Sequence, residues 1–246
     1  MASVSCEDIQ VDLQGMTDEE YRIFNAKLIP NVDPSTMLGV RIPKLRAYAK
    51  ELLAADKAKG TSTVVGFMNN LPHALFEENM LHALLIGMAA HTTDKAFDML
   101  DRFLPFVDNW AVCDAISVKA FRSKKANAQA IETKLCEWVA DGRTYVVRYA
   151  VDTLMTDFLD DPRFRPDQLA VVAGVRSTEY YVNMARAWYF ATALAKQWDT
   201  AIAVFQSDAS PELRLDDWTH NKSIQKARES RRIPSDRKEY LVSLKR

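Results

Sequence analysis

A chain of 246 residues, 48% apolar and 26% charged, has the make-up of an ordinary globular protein with room for one large core or a short stack of repeats. Seven glycines and nine prolines are too few for the many tight turns of a sandwich or barrel, and no run approaches the roughly 20 apolar residues of a membrane span. A net charge of −1 gives no global attraction to a polyanion, so any nucleic-acid binding must rest on local charge.

The first residues, MASVSCEDIQVDLQ, carry acids where a secretory leader would carry basic side chains, and the chain reads as cytoplasmic. Cys6, Cys113 and Cys136 are odd in number and form no CxxC pair, which fits reduced thiols. Thr17-Asp-Glu-Glu20 has the form of a capping box ahead of a short helix ending near Lys27. Asn31 to Leu38 is a polar break containing proline. Pro43 then suits the first turn of a helix with Leu45, Tyr48, Ala49 and Leu52 on one face. Further helical stretches are expected over about 62–70, 75–90, 94–104, 110–121, 126–140, 144–158, 167–174, 179–195, 198–206, 217–229 and 235–244. Period-two alternation bounded by hairpin signals is absent. The fold class is all-α, with about 12–14 helices.

The rhythm of these helices, separated by breaks such as Asp108-Asn109 and Asp141-Gly142, suits antiparallel pairs stacked side by side. A single pair cannot bury its apolar face without neighbours, and HEAT-type repeats recur every 40–47 residues or so. One solenoid domain over 1–246 is expected, with a short helical segment at 1–36 and a basic cap at 221–246. Trp110, Arg148 and Trp188 are separated by 38 and 40 residues, and a further 40 reaches Arg228. Near-equal spacing would set these side chains in a row along one face.

Trp110 and Asp114 are four apart, so an aromatic ring and a carboxylate share a helix face. Each residue also has a plain structural reading. Tryptophans 110 and 188 can pack in a core, Asp114 can cap or pair locally, and Arg148 can bridge to Asp152 one turn on.

Together, Asn109-Trp-Ala-Val-Cys-Asp114, Val147-Arg148-Tyr-Ala and Tyr181-Val-Asn-Met-Ala-Arg-Ala-Trp188 resemble, in order and spacing, the site segments of the AlkD-like DNA alkylation repair enzyme family. Leu38-Gly-Val-Arg-Ile-Pro-Lys-Leu-Arg46 resembles that family's early helix-start motif, so the resemblance runs from about residue 37 to the C-terminus. It implies a right-handed α-α superhelix, a HEAT-like solenoid whose concave face holds duplex DNA. It also implies removal of cationic N3- and N7-alkylated purines by cleavage of the N-glycosidic bond. By that resemblance Asp114 is the catalytic carboxylate, Trp110 and Trp188 pack against the lesion-bearing nucleotide, and Arg148 holds backbone phosphate. No cofactor is implied, and a monomer is favoured. Ahead of Gly39 there is room for about one helix, which is shorter than the two-helix start of AlkD.

Cations for DNA are found in three groups. Residues 221–246 hold nine basic side chains, Lys226, Arg228, Arg231 and Arg232 among them, against three acids. Arg41, Lys44, Arg46 and Lys50 lie near the other end, and Lys119, Arg122, Lys124 and Lys125 lie in the middle. His73, His82 and His91 are nine apart, which on one helix alternates faces and makes no metal site. No metal, Gly-rich phosphate loop or dinucleotide fingerprint is expected. A non-catalytic protein that binds branched or damaged DNA, and a protein-binding helical scaffold, are the alternative functions.

Overall fold

A computed structural model describes the backbone over residues 6–246 and the side chains from Asp8 onward, so the thiol of Cys6 lies outside the described residues. Among the described residues there are fourteen α-helices, five short 3-10 turns and no strand. The fold is all-α and of the HEAT-like helical-repeat type. No described helix is long and apolar enough to cross a membrane. The chain divides into two compact units, one ending at Ala126 and the other starting at Asn127.

The first unit holds α1 (Cys6–Gly15), α2 (Glu19–Leu28), α3 (Ile42–Lys59), α4 (Thr63–Asn69), α5 (Phe76–Ala89), α6 (Thr93–Phe103) and α7 (Trp110–Ala115). Alternate helices form one layer, with α5 packed between α3 and α7, while α4 and α6 lie behind. The central helix α5 is apolar nearly all round and buries Met80, Leu81, Leu84, Leu85 and Ile86. On α3 the stripe Leu45, Tyr48, Ala49 and Leu52 is buried, as its spacing requires.

Two carboxylates in the first turn of α5 tie this unit together. Glu77 is fully buried and accepts from the backbone N–H groups of Leu38 (2.9 Å), Gly39 (2.7 Å) and Val40 (3.2 Å). Glu78 accepts from the N–H groups of Ala74 and Leu75 ahead of its own helix, and from Gln10 on α1. Gly39 has φ +80°, and a Cβ there would run into the Asp18 carbonyl and Arg22 of α2. Glycine at this position lets the segment leading into α3 lie against α2.

The second unit holds α8 (Ala128–Val139), α9 (Thr144–Asp157), α10 (Asp167–Ala173), α11 (Tyr180–Lys196), α12 (Trp198–Ala201), α13 (Asp217–Glu229) and α14 (Ser235–Ser243). Again alternate helices make one layer, with α11 packed between α9 and α13, while α8 and α10 pack behind it. Arg186 of α11 is 1% exposed. It donates to Asn183 (2.8 Å) and Thr219 (3.2 Å) and pairs with Asp216 (2.8 Å), the N-cap of α13.

Three sequence expectations change. The segment before Gly39 holds two ten-residue helices rather than one. The N-cap of α2 is Asp18, which accepts from Tyr21 N–H at 2.9 Å, while the Thr17 hydroxyl donates to the Gln14 carbonyl. The expected helix 110–121 stops at Ala115 and resumes as a 3-10 turn at Lys119–Arg122. At that break the Ser117 carbonyl comes so close to α5 that a Cβ on Gly87 would lie 2.6 Å from it. His73 precedes α5, as the expected helix bounds leave it, and its ring is hydrogen-bonded to that of His82 at 2.9 Å.

Candidate functional site

In the first unit the site residues are on α7. Asn109, 1% exposed, caps this short helix by accepting from Val112 N–H at 2.9 Å and donates to Asp108. Asn31 donates to the Asp108 carbonyl at 2.6 Å, which fixes the turn entering the helix. Val112 and Cys113 point into the core. Asp114 is exposed and Trp110 is half-buried, so the i,i+4 pair sits on the outward face of α7. The Trp110 indole N–H donates to the Leu28 carbonyl at the end of α2 at 3.2 Å, which fixes the ring's orientation.

In the second unit Arg148 of α9 meets Trp188 of α11, with the guanidinium carbon 5.4 Å from the indole centroid. Arg148 is 1% exposed, donates to the Tyr181 carbonyl at 2.9 Å and stands 3.5 Å from Asp152. The resemblance implies that it holds a DNA phosphate; in the structure it packs against the half-buried Trp188.

Trp188 lines a cleft of about 300 Å³ on the α9, α11 and α13 layer, together with Met155, Ala191, Thr192, Lys226 and Arg232. Three residues expected at the DNA interface, Trp188, Lys226 and Arg232, are thus brought together. Arg228 and Arg231 are exposed and do not line this cleft. Lys226 also pairs with Glu229 at 3.0 Å on the surface.

The other cations expected at DNA, Arg41, Lys44 and Arg46, are exposed at the start of α3. Arg41 pairs with Asp18 at 2.8 Å and stacks 5.0 Å from the Tyr21 ring centroid. The Tyr21 backbone N–H, then Arg41, hold the Asp18 carboxyl below its ordinary range. Arg186 was not singled out from the sequence, though it lies within the Tyr181–Trp188 motif. Its i,i+3 relation to Asn183 is the local signal, but its partner Asp216 is distant in sequence.

Over residues 9–208 the sequence matches the family described as DNA alkylation repair enzyme. The chain belongs to the DNA alkylation repair enzyme family. No curated protein and no solved structure matches the chain significantly. The family match starts at residue 9, so it takes in α2 and most of α1, which the sequence resemblance had left out. It ends at residue 208, before α13 and α14, so Lys226, Arg228, Arg231 and Arg232 lie beyond the matched region. Membership in a DNA alkylation repair family implies DNA as the macromolecule handled, and it covers Trp110, Asp114, Arg148 and Trp188.

Proposed function

We propose that this member of the family is a DNA glycosylase that releases cationic N3- and N7-alkylated purines from duplex DNA by hydrolysing the N-glycosidic bond. The observation that carries the reading is Asp114, a carboxylate exposed on the same face of α7 as Trp110, while its neighbours Val112 and Cys113 are buried. An alkylated purine already bears positive charge. When the C1′–N bond breaks it takes the bond electrons and leaves as a neutral base, without a strong general acid. Water then adds to C1′ and gives up a proton.

What the protein has to supply is stabilisation of an oxocarbenium-like sugar and a place for that water. A fixed carboxylate supplies the first by electrostatics and can accept the water's proton. The indole faces of Trp110 and Trp188 favour the positive C–H edge of the sugar, as they favour cations. Arg41, Lys44, Arg46, Arg228, Arg231, Lys226 and Arg232 supply phosphate contacts. Arg148 holds the Trp188 ring and, as the resemblance implies, backbone phosphate beside the lesion.

The test is release of N7-methylguanine from methylated duplex DNA by the wild type and by Asp114→Asn. The expected result is release by the wild type and a loss of about 100-fold or more in the variant. Equal release by both would remove Asp114 from the reaction. No release by either, with salt-dependent DNA binding retained, would make the protein a non-catalytic DNA binder.

A further inference from the structure

A second cleft, of about 490 Å³, lies in the first unit between the middle of α3, the C-terminal end of α5 and the Lys119–Arg122 turn. Lys50, His91 and Lys119 line it, over a floor that includes Leu53, Met88 and Ala120, and no carboxylate lines it. Among the described residues, Lys50, His91 and Lys119 have no ion-pair partner. Elsewhere in this unit Arg22 pairs with Glu19, Arg41 with Asp18 and Arg102 with Asp98, while Lys44 and Arg46 at the start of α3 have no ion pair among the described residues. The sequence from Ala115 to Ile131 adds Arg122, Lys124 and Lys125 and contains no acid.

Basic groups converging on one cleft without a carboxylate repel one another, and an anion relieves that repulsion. The cleft is within the size range of small-molecule sites, about 300–1,000 Å³. Its apolar floor suits the sugar and base of a nucleotide. A phosphate monoester carries about two negative charges near neutral pH, which matches the Lys50 and Lys119 ammonium groups better than the single charge of a diester.

We propose that this cleft binds a nucleotide through a terminal phosphate monoester, either free or at the 5′ end of a DNA strand. The proposal does not rest on Asp114 or on base excision, and its test measures neither.

The probes are dGMP, deoxyguanosine, and two duplexes of one sequence with 5′-phosphate or 5′-hydroxyl ends, titrated into the full chain by calorimetry. Wild type is expected to bind dGMP, and Lys50→Glu and Lys119→Glu each to weaken it by about tenfold or more. Both side chains are exposed, and thermal melts check that each variant stays folded. Stronger displacement of dGMP by the 5′-phosphorylated duplex than by the 5′-hydroxyl duplex assigns the site to strand ends. No displacement by either duplex assigns it to free nucleotides, and equal displacement by both would mean that diester backbone fills the cleft and would overturn the proposal. Deoxyguanosine binding as tightly as dGMP, or dGMP binding indifferent to both charge reversals, would overturn the proposal.

Discussion

The guanidinium of Arg148 lies 5.4 Å from the indole centroid of Trp188 and donates at 2.9 Å to the Tyr181 carbonyl, two turns nearer the start of α11. One buried side chain of α9 thus fixes both the ring and the helix that carries it.

Arg148→Ala should destabilise the chain by about 3 kcal/mol, because Asp152, 17% exposed, loses the guanidinium 3.5 Å away. Urea unfolding measures that loss. Salt titration of DNA binding tests the role. A phosphate contact contributes close to one unit to the slope of log K against log salt. Arg148→Gln removes the charge, and an unchanged slope would mean that the guanidinium only holds Trp188. A drop near one unit would put Arg148 on the DNA backbone.

Local pattern and tertiary placement differed in how far the sequence revealed them. The stripe Leu45, Tyr48, Ala49 and Leu52 predicts α3 because burial and helical period coincide there. Ile9 and Leu13 of α1 are both fully buried at i,i+4, but acids at Glu7, Asp8 and Asp12 surround them and hide the signal. The stop after Ala115 comes from another helix, where Gly87 gives the Ser117 carbonyl room. At the candidate site, the i,i+4 spacing anticipates the shared face of Trp110 and Asp114. Whether an arginine on such a helix faces solvent or a neighbouring ring depends on packing across helices.

The paired histidines make acid a specific threat to the first unit. His82 stacks on Phe103 at 3.9 Å and His73 on Phe67 at 4.5 Å, with the rings hydrogen-bonded to each other. Burial pushes both below the usual histidine range, His82 to about 3, where nearby His73 adds to the effect; Glu78 opposes it at His73. The unfolded chain takes up protons from about pH 6.5 downward while the native His82 resists them. Stability is therefore full above that pH and declines as pH falls toward 3. Between pH 7 and pH 5, His82 alone should remove about 2 kcal/mol. Urea midpoints at the two pH values, for wild type and His82→Phe, check this. The variant should lose about 2 kcal/mol less on acidification, and equal losses would show that His82 does not titrate as its burial demands.

The cleft that joins Trp188 to Lys226 and Arg232 puts an aromatic ring and two cations within one small volume, and the two kinds of group should fail differently. Lys226→Gln with Arg232→Gln removes charge that neutralises phosphate. DNA binding should weaken at low salt, and the salt slope should fall by about two units. Excision at saturating DNA should hold, because neither side chain is asked to act on the sugar. Trp188→Ala removes a surface for the lesion-bearing nucleotide and leaves the charge in place. Its salt slope should match the wild type while excision at saturating DNA falls. Fluorescence titrations across a salt series, paired with single-turnover release of N7-methylguanine, read both quantities. If the two variants changed slope and excision alike, the cleft would act as a single binding surface, and the division between ring and cations would be wrong.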